Sequence, residues 1–306
     1  MPRSVSIQHL SLRHAHMTPS IQAIPTVAKL FVHPLKGAAP VAVTAMPLDA
    51  LGALGDRRWL LADQHGVMIT PRAATALAGI HAALPMRDGA IVADGPLTLR
   101  ADGLDVLSVS HADAHAPLRT VQCWDDTIEM ADAGELAAQW CSEAIGTACR
   151  LLHLTPESHR PLAPKYTGPI DAGTRTVSVT DGAPLLLLSQ SSIDALNERL
   201  LQAGEPPVGV ERFRPNVLIA GTTAHDEDTW SLIEVGGVEI GVGSPCPRCV
   251  ITAINPRTLE RGVEPLRTLA TYRRGDGGGV MFGMNATHRD AGVIRVHETI
   301  HVRARR

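Results

Sequence analysis

The chain keeps breaking into short runs of β-branched and aromatic residues, each closed by Pro, Gly or Asp. Val27–His33, Val41–Ala45, the segment Trp59–Asp63, Gly66–Thr70, Ala90–Val92, Leu97–Arg100 and Leu104–Val109 follow one another at a regular interval. Short strands with evenly spaced turn signals are what a β-barrel or sandwich is built from. Helical periodicity is confined to two main stretches. Asp132-Ala-Gly-Glu135 resembles a capping box, after which Leu136, Trp140, Cys141 and Ile145 fall on one face. Ser189–Leu201 turns Ile193, Leu196 and Leu200 inward. The expected fold is α+β and mostly β: an N-terminal β-barrel domain, then a barrel-like domain with flanking helices.

Residues 155–175 hold Pro156, Pro161, Pro164 and Pro169 without periodicity, the composition of a surface loop or linker. The expected division is therefore 1–26 as a poorly structured extension, 27–150 as the first domain and 151–304 as the second. In the second, Leu185–Leu188 and Val217–Ala220 read as buried strands. Trp230–Val242 reads as a hairpin around Gly236-Gly237, and Asn255–Leu269 as a polar loop. Gly292–Val296 and Thr299–Val302 close the chain as strands.

Composition removes several function classes. With 44% hydrophobic and 19% charged residues the chain is globular, and its net charge of -3 gives no global attraction to nucleic acid or anionic membrane. No apolar run approaches a membrane span, and the N-terminus has no secretory leader. Five cysteines, an odd number, argue against a disulfide framework and for the cytoplasm. Gly275–Gly279 lacks the Gly-Lys-Ser/Thr of a phosphate-binding P-loop. Cys123, Cys141 and Cys149 lie in apolar contexts and read as small core residues.

The remaining pair is chemically distinct. Ser244-Pro245-Cys246-Pro247-Arg248-Cys249 sets two sulfurs around an arginine, ahead of a strand-like Val250-Ile251-Thr252. A nearby cation favours a thiolate, and thiolates suit soft, thiophilic metals. Structural zinc would need a second ligand pair, which the sequence lacks. A thioredoxin-type site would need a helix after the pair. Two buried structural cysteines are the plain alternative.

Other stretches join this one in a fixed order: Pro34-Leu-Lys36-Gly37, Gly55-Asp-Arg57-Arg58-Trp59, Arg212-Phe-Arg214-Pro-Asn216, then the cysteine stretch, Glu264-Pro-Leu266 with Thr268-Leu269, and Phe282-Gly283. Together they resemble the MOSC-domain family, named for the C-terminal domain of molybdenum cofactor sulfurase. The match is to its two-part members, which include YcbX-type proteins and amidoxime-reducing components, and it covers about residues 27–304. The resemblance implies a molybdenum cofactor, a pyranopterin dithiolene ending in a phosphate, with Cys249 as the protein's metal ligand and Cys246 its neighbour. It implies that Lys36, Arg57 and Arg214 contact the cofactor, which agrees with the charge-assisted donors a phosphate needs. Backbone at Gly37, Asp181, Gly182 and Ala183 would approach it. Relatives often have Lys-Ser where this chain has Lys36-Gly37, and some have Asp-Thr-Ser-Pro where it has Asp181-Gly-Ala-Pro184. Arg58 and Arg212 are expected as exposed or ion-paired neighbours, and Arg248 has no assigned contact.

The implied activity is reduction of small N-hydroxylated substrates, such as amidoximes, hydroxylamines and hydroxylated base analogues. Electrons would come from a separate flavin or iron–sulfur reductase, without nucleic-acid or membrane partners. Asp181 and Asn285 are candidate catalytic polar groups beside Cys249. A family-level association with pyridoxal phosphate belongs to the same resemblance. The alternatives are a module that carries or sulfurates the cofactor without turnover, and a structural protein built round zinc or a cluster.

Overall fold

The computed structural model describes residues 24–92, 95–111, 116–170 and 175–306. The expected extension over 1–26 thus lies almost wholly outside the described residues. The chain is α+β and mostly β, as its short runs predict. The N-terminal half contributes β1 (Thr26–Val32), β2 (Val41–Val43), β3 (Ala45–Asp49), β4 (Trp59–Ala62) and β5 (Met68–Ile69). Then come β6 (Leu118–Cys123), β7 (Asp126–Asp132), helix α1 (Glu135–Ile145) and β8 (Arg150–His153). The C-terminal half supplies β9 (Leu185–Ser189), α2 (Gln190–Gln202), β10 (Val217–Ala220), β11 (Trp230–Val235) and β12 (Val238–Arg248). It ends with α3 (Leu266–Ala270), β13 (Val280–His288), β14 (Gly292–Arg295) and β15 (His301–Arg305).

An eight-stranded sheet runs β2-β1-β10-β9-β13-β12-β11-β15, so the first two strands of the chain pair into the C-terminal sheet. Their register is Leu30 with Val217 and Phe31 with Ala42. A five-stranded sheet, β6-β7-β8-β4-β5, comes from the N-terminal half, while β3 pairs with β14 near the other end of the chain. Trp59, Trp230, Phe213 and Phe282 are among the fully buried side chains that hold these layers. No helix among the described residues is long and apolar enough to cross a membrane.

Four local expectations fail, each for a visible reason. Asp132 does not open a capping box: Gly134 is the residue before α1, and the Asp132 carboxylate is taken by Arg119, Arg150 and the Gly134 amide. Leu136 is 70% exposed, because α1 turns Ala137, Ala138, Cys141 and Ile145 inward instead. The cysteine stretch is the end of strand β12, and Val250–Ala253 is a 3-10 turn rather than a strand. There Thr252 donates from its backbone N (3.0 Å) and its Oγ1 (2.9 Å) to the Cys249 carbonyl, closing the turn. Residues 266–269 of the expected polar loop lie in α3.

The proline-rich segment is also more than a surface loop. Its 3-10 turn at Pro164–Tyr166 lies against β12, where Gly241 and Gly243 leave no room for a side chain. A Cβ at Gly241 would stand 2.1 Å from the Thr167 carbonyl, and one at Gly243 2.4 Å from that of Tyr166. Glycine in a strand interior marks such close backbone approach.

Acid sensitivity follows from the buried His33. Burial, then the charges of Arg214 and Arg57, outweigh the favourable Asp56 and lower its pKa to about 3. The unfolded chain takes up a proton near the ordinary value of 6.5 while the folded chain does not, so stability falls as pH drops from there towards 3. Thermal melts should show a lower melting temperature at pH 5 than at pH 7, with the drop reduced in a His33→Gln variant. An equal or higher value at pH 5 would contradict this.

Candidate functional site

Lys36 and Gly37 lie in the turn after β1, and Arg57 in the turn before β4. The amide of Lys36 donates to the Trp59 carbonyl (2.8 Å), and that of Arg57 to the His33 carbonyl (2.7 Å), which locks the two turns together. Asp56, also buried, accepts from the His33 amide (2.7 Å) and from the Arg57 guanidinium, fixing the arginine's direction. Burial opposes ionisation of Asp56, but Arg57 and His33 outweigh it and hold the carboxyl well below its usual range.

Arg214 comes from the turn before β10. Its Nη1 donates to the Ala38 carbonyl (2.5 Å), and its own carbonyl accepts from Arg57 Nη2 (3.3 Å). Both arginines have left-handed backbone, at φ 50° for Arg57 and 55° for Arg214. This region is costly for a bulky residue and persists only where surrounding contacts enforce it.

Asp181 approaches from the loop before β9. Buried Arg160 positions that loop by donating to the Thr180 carbonyl (2.7 Å) while holding Asp126 (2.8 Å). Lys36 Nζ then meets Asp181 Oδ1 at 2.5 Å. The lysine is buried, whereas the aspartate side chain remains 71% exposed at the cleft. Burial lowers the Lys36 pKa, and Asp181 offsets part of that. Enclosure by the cleft wall opposes ionisation of Asp181, but Lys36, Arg57 and Arg214 together hold its carboxyl below the usual range. An acid held ionised is a poor proton donor at neutral pH, so Asp181 is better suited to orienting Lys36.

These residues border one open cleft. Its lining includes all nine residues singled out from the sequence: Lys36, Gly37, Arg57, Asp181, Gly182, Ala183, Arg214, Cys249 and Asn285. Both Cys246 and Cys249 line it as free, half-buried thiols. Burial pushes the Cys246 thiol up despite Arg248. The Asn285 amide donates to the carbonyls of Ser244 (3.2 Å) and Pro245 (3.4 Å), bracing the irregular end of β12.

Gly37 is required by its backbone. At φ 89° it occupies a region that favours glycine, and a Cβ would lie 2.8 Å from Leu77 Cδ2 and 2.9 Å from Pro71 Cδ. Gly37→Ser is expected to destabilise the protein by roughly 1–3 kcal/mol through that strain and crowding. Denaturant unfolding would measure it, and an unchanged midpoint would count against the geometry.

Tyr166 and Thr70, which the sequence did not single out, also line the cleft, as do Asn216 and Arg212 of the motif around Arg214. Arg212 is thus no outlying neighbour: its Nη1 donates to the Thr252 carbonyl (3.2 Å), and among the described residues it has no ion-pair partner. Arg248 gains a role too, donating to the carbonyls of Phe282 (2.7 Å) and Phe213 (2.8 Å) and tying β12 to β13 and to the turn before β10. Arg58 is ion-paired as expected, to Asp49 at 2.7 Å. The alternating Gly241 and Gly243 were the one sequence signal for Tyr166, since they mark where another backbone must press on the strand. Among the described residues, no group of three or more His, Cys, Asp or Glu side chains could hold a metal ion.

Comparison with known proteins matches residues 24–148 to the MOSC N-terminal beta barrel domain and residues 174–301 to the MOSC domain. The chain is 31% identical over 298 residues to mitochondrial amidoxime-reducing component 1 of Mus musculus, covering 92% of this chain and 83% of that one. It is 29% identical over 303 residues to the Homo sapiens protein of the same name, covering 92% and 84%. It is also 29% identical over 279 residues to molybdenum cofactor sulfurase of Danio rerio, covering 87% of this chain but 32% of that one.

Proposed function

The chain belongs to the MOSC-domain family in its two-part form, and on that premise we propose that it is a molybdenum-cofactor-dependent oxidoreductase acting on N-hydroxylated compounds. The observation that carries the proposal is the convergence of Cys249 with Lys36, Arg57 and Arg214, from four distant segments, on one cleft. The residues fit such a group. A buried guanidinium nitrogen, Arg214 Nη2, has no hydrogen-bond partner among the described residues, and burial followed by the Arg57 charge lowers the Arg214 pKa to about 10. A site that concentrates buried cations in this way suits a phosphate. A half-buried thiol in the same cleft suits a soft metal carried by the ligand itself.

In this reading Cys249 supplies the protein's metal ligand, while Lys36, Arg57 and Arg214 hold the phosphate. Gly37, Gly182 and Ala183 allow close backbone approach, and Asp181 and Asn285 keep Lys36 and the end of β12 in position. When bound, the cofactor supplies the two-electron reduction that turns an N–OH into N–H and water. Electrons come from a separate flavin or iron–sulfur protein in the cytoplasm, a setting consistent with five free cysteines. Pyridoxal phosphate has no part in this reading.

The test is to purify the protein from cofactor-competent cells, measure molybdenum and pterin per chain, and assay benzamidoxime reduction with a dye donor. Near-stoichiometric cofactor with turnover is the expected result. Cofactor without turnover would instead favour a carrier or sulfuration module, the reading supported by similarity to molybdenum cofactor sulfurase.

A further inference from the structure

The chain carries a net charge of -3, yet cations that lack carboxylate partners gather beside the mouth of the cleft. Arg212 lines the cleft, and Arg72 follows Pro71, which also lines it. Arg261 reaches across to the Pro71 carbonyl (3.1 Å) and to that of Arg72, joining segments about 190 residues apart in sequence. Arg257 donates its backbone N to Asn255 Oδ1 (3.0 Å), and Asn255 lines one hollow with Arg212 and Arg261. After burial, the Arg257 charge adds to the lowering of the Arg212 pKa against the opposing Glu211. Among the described residues none of these four arginines has a carboxylate within ion-pair distance. Some exposed arginines elsewhere do, Arg267 with Glu205 and Glu264, Arg289 with Glu239, and Arg303 with Glu234. Arg87, Arg100 and Arg274 stand singly without an ion pair among the described residues, so what distinguishes the rim is that its cations gather at one place. Of the acids beside the rim among the described residues, Glu205 and Glu264 are engaged by Arg267, and Glu211 and Glu260 are in no ion pair. Two valines are exposed on the same segments, Val250 at 52% and Val263 at 59%.

We propose that this rim, Arg72, Arg212, Arg257 and Arg261 with Val250 and Val263 among them, is the docking surface for an acidic electron-donor protein. The inference rests on the oxidoreductase reading and specifies its partner by charge. Unpaired surface cations cost little alone but steer an oppositely charged partner, and a small apolar centre within a charged border is what a transient redox interface requires. The rim adjoins the wall that carries Cys249 and Thr252, so a partner seated there lies next to the proposed redox centre. Each turnover takes two electrons and two protons, releasing water from the N–OH and oxidising two flavin hydroquinones to semiquinones when the donor is a flavodoxin.

The test uses cofactor-loaded protein, benzamidoxime, and two donors: a reduced dye and a reduced flavodoxin, an acidic flavin protein. Arg72→Glu/Arg257→Glu is expected to raise the KM for flavodoxin about tenfold or more at low ionic strength, with dye-driven kcat unchanged. The difference should shrink as salt is raised, because the Debye length falls to about 3 Å at 1 M. Arg257→Glu alone should show a smaller shift of the same sign, and circular dichroism would verify that each variant is folded. An unchanged flavodoxin KM with intact dye turnover would overturn the docking inference while sparing the function. Absence of dye turnover in the unmodified protein would instead overturn the function. Tighter binding of a short single-stranded oligonucleotide than of flavodoxin at the same salt would assign the rim to nucleic acid and overturn the proposal.

Discussion

Cys249→Ala, purified from cofactor-competent cells, is expected to lose benzamidoxime reduction by about a thousandfold, because metal-centred chemistry contributes several kcal/mol to the transition state. Cys246→Ala should lose no more than about 10–100-fold, the usual effect of a supporting group beside a metal ligand. Both thiols line the cleft, so proximity alone does not separate them. The proposed assignment to Cys249 comes from the family resemblance; in the structure Cys246 lies within β12, where burial pushes its thiol up, and Cys249 stands past the last strand residue, at the start of the 3-10 turn. The measurement is steady-state turnover together with the molybdenum–thiolate signature in X-ray absorption. Loss of that signature in Cys246→Ala and its survival in Cys249→Ala would reverse the assignment.

The second large effect concerns the cations. Arg214→Leu is expected to reduce cofactor retention by about 30-fold or more, since truncating one member of a buried charged contact costs roughly 2–5 kcal/mol of binding. The same change should leave the cofactor-free protein no less stable. Arg214 is partly buried beside Arg57, with one buried nitrogen that has no partner among the described residues, and replacing a poorly compensated buried charge by an apolar side chain is often neutral or stabilising. Cofactor-free unmodified protein should also gain melting temperature with added inorganic phosphate, as any ligand of the folded state requires, and Arg214→Leu should lose that gain. Pterin per chain, melting curves and phosphate titrations measure all three. A strongly destabilised variant, or a phosphate response that survives it, would show that the arginine serves the fold rather than an anion.

Much of this site was legible in the sequence because its residues sit in turns with recognisable local chemistry. Lys36, Arg57, Arg214 and Cys249 stand in short motifs beside apolar strands, and their order along the chain carried the resemblance. What failed was local structure decided by distant partners. Asp132 looks like a helix cap, but Arg119 and Arg150 claim its carboxylate. Leu136 has the spacing of a buried residue, yet α1 buries its alanines instead. Tyr166 sits in a segment with no periodicity and lines the cleft because Gly241 and Gly243 let its backbone press on β12.

By itself the sequence determined the alternation of short strands and turns, the absence of a disulfide framework, and the supply of one thiol pair with several basic turns. These are local properties, set by backbone preference and side-chain chemistry within a few residues. Tertiary structure decided which charges meet. Lys36 pairs with Asp181, 145 positions away, and Arg261 reaches the backbone beside Arg72, because β1 and β2 join the C-terminal sheet and bring remote turns to one cleft. Electrostatic pairing falls off over a few ångströms, so only strand register and sheet order could fix it.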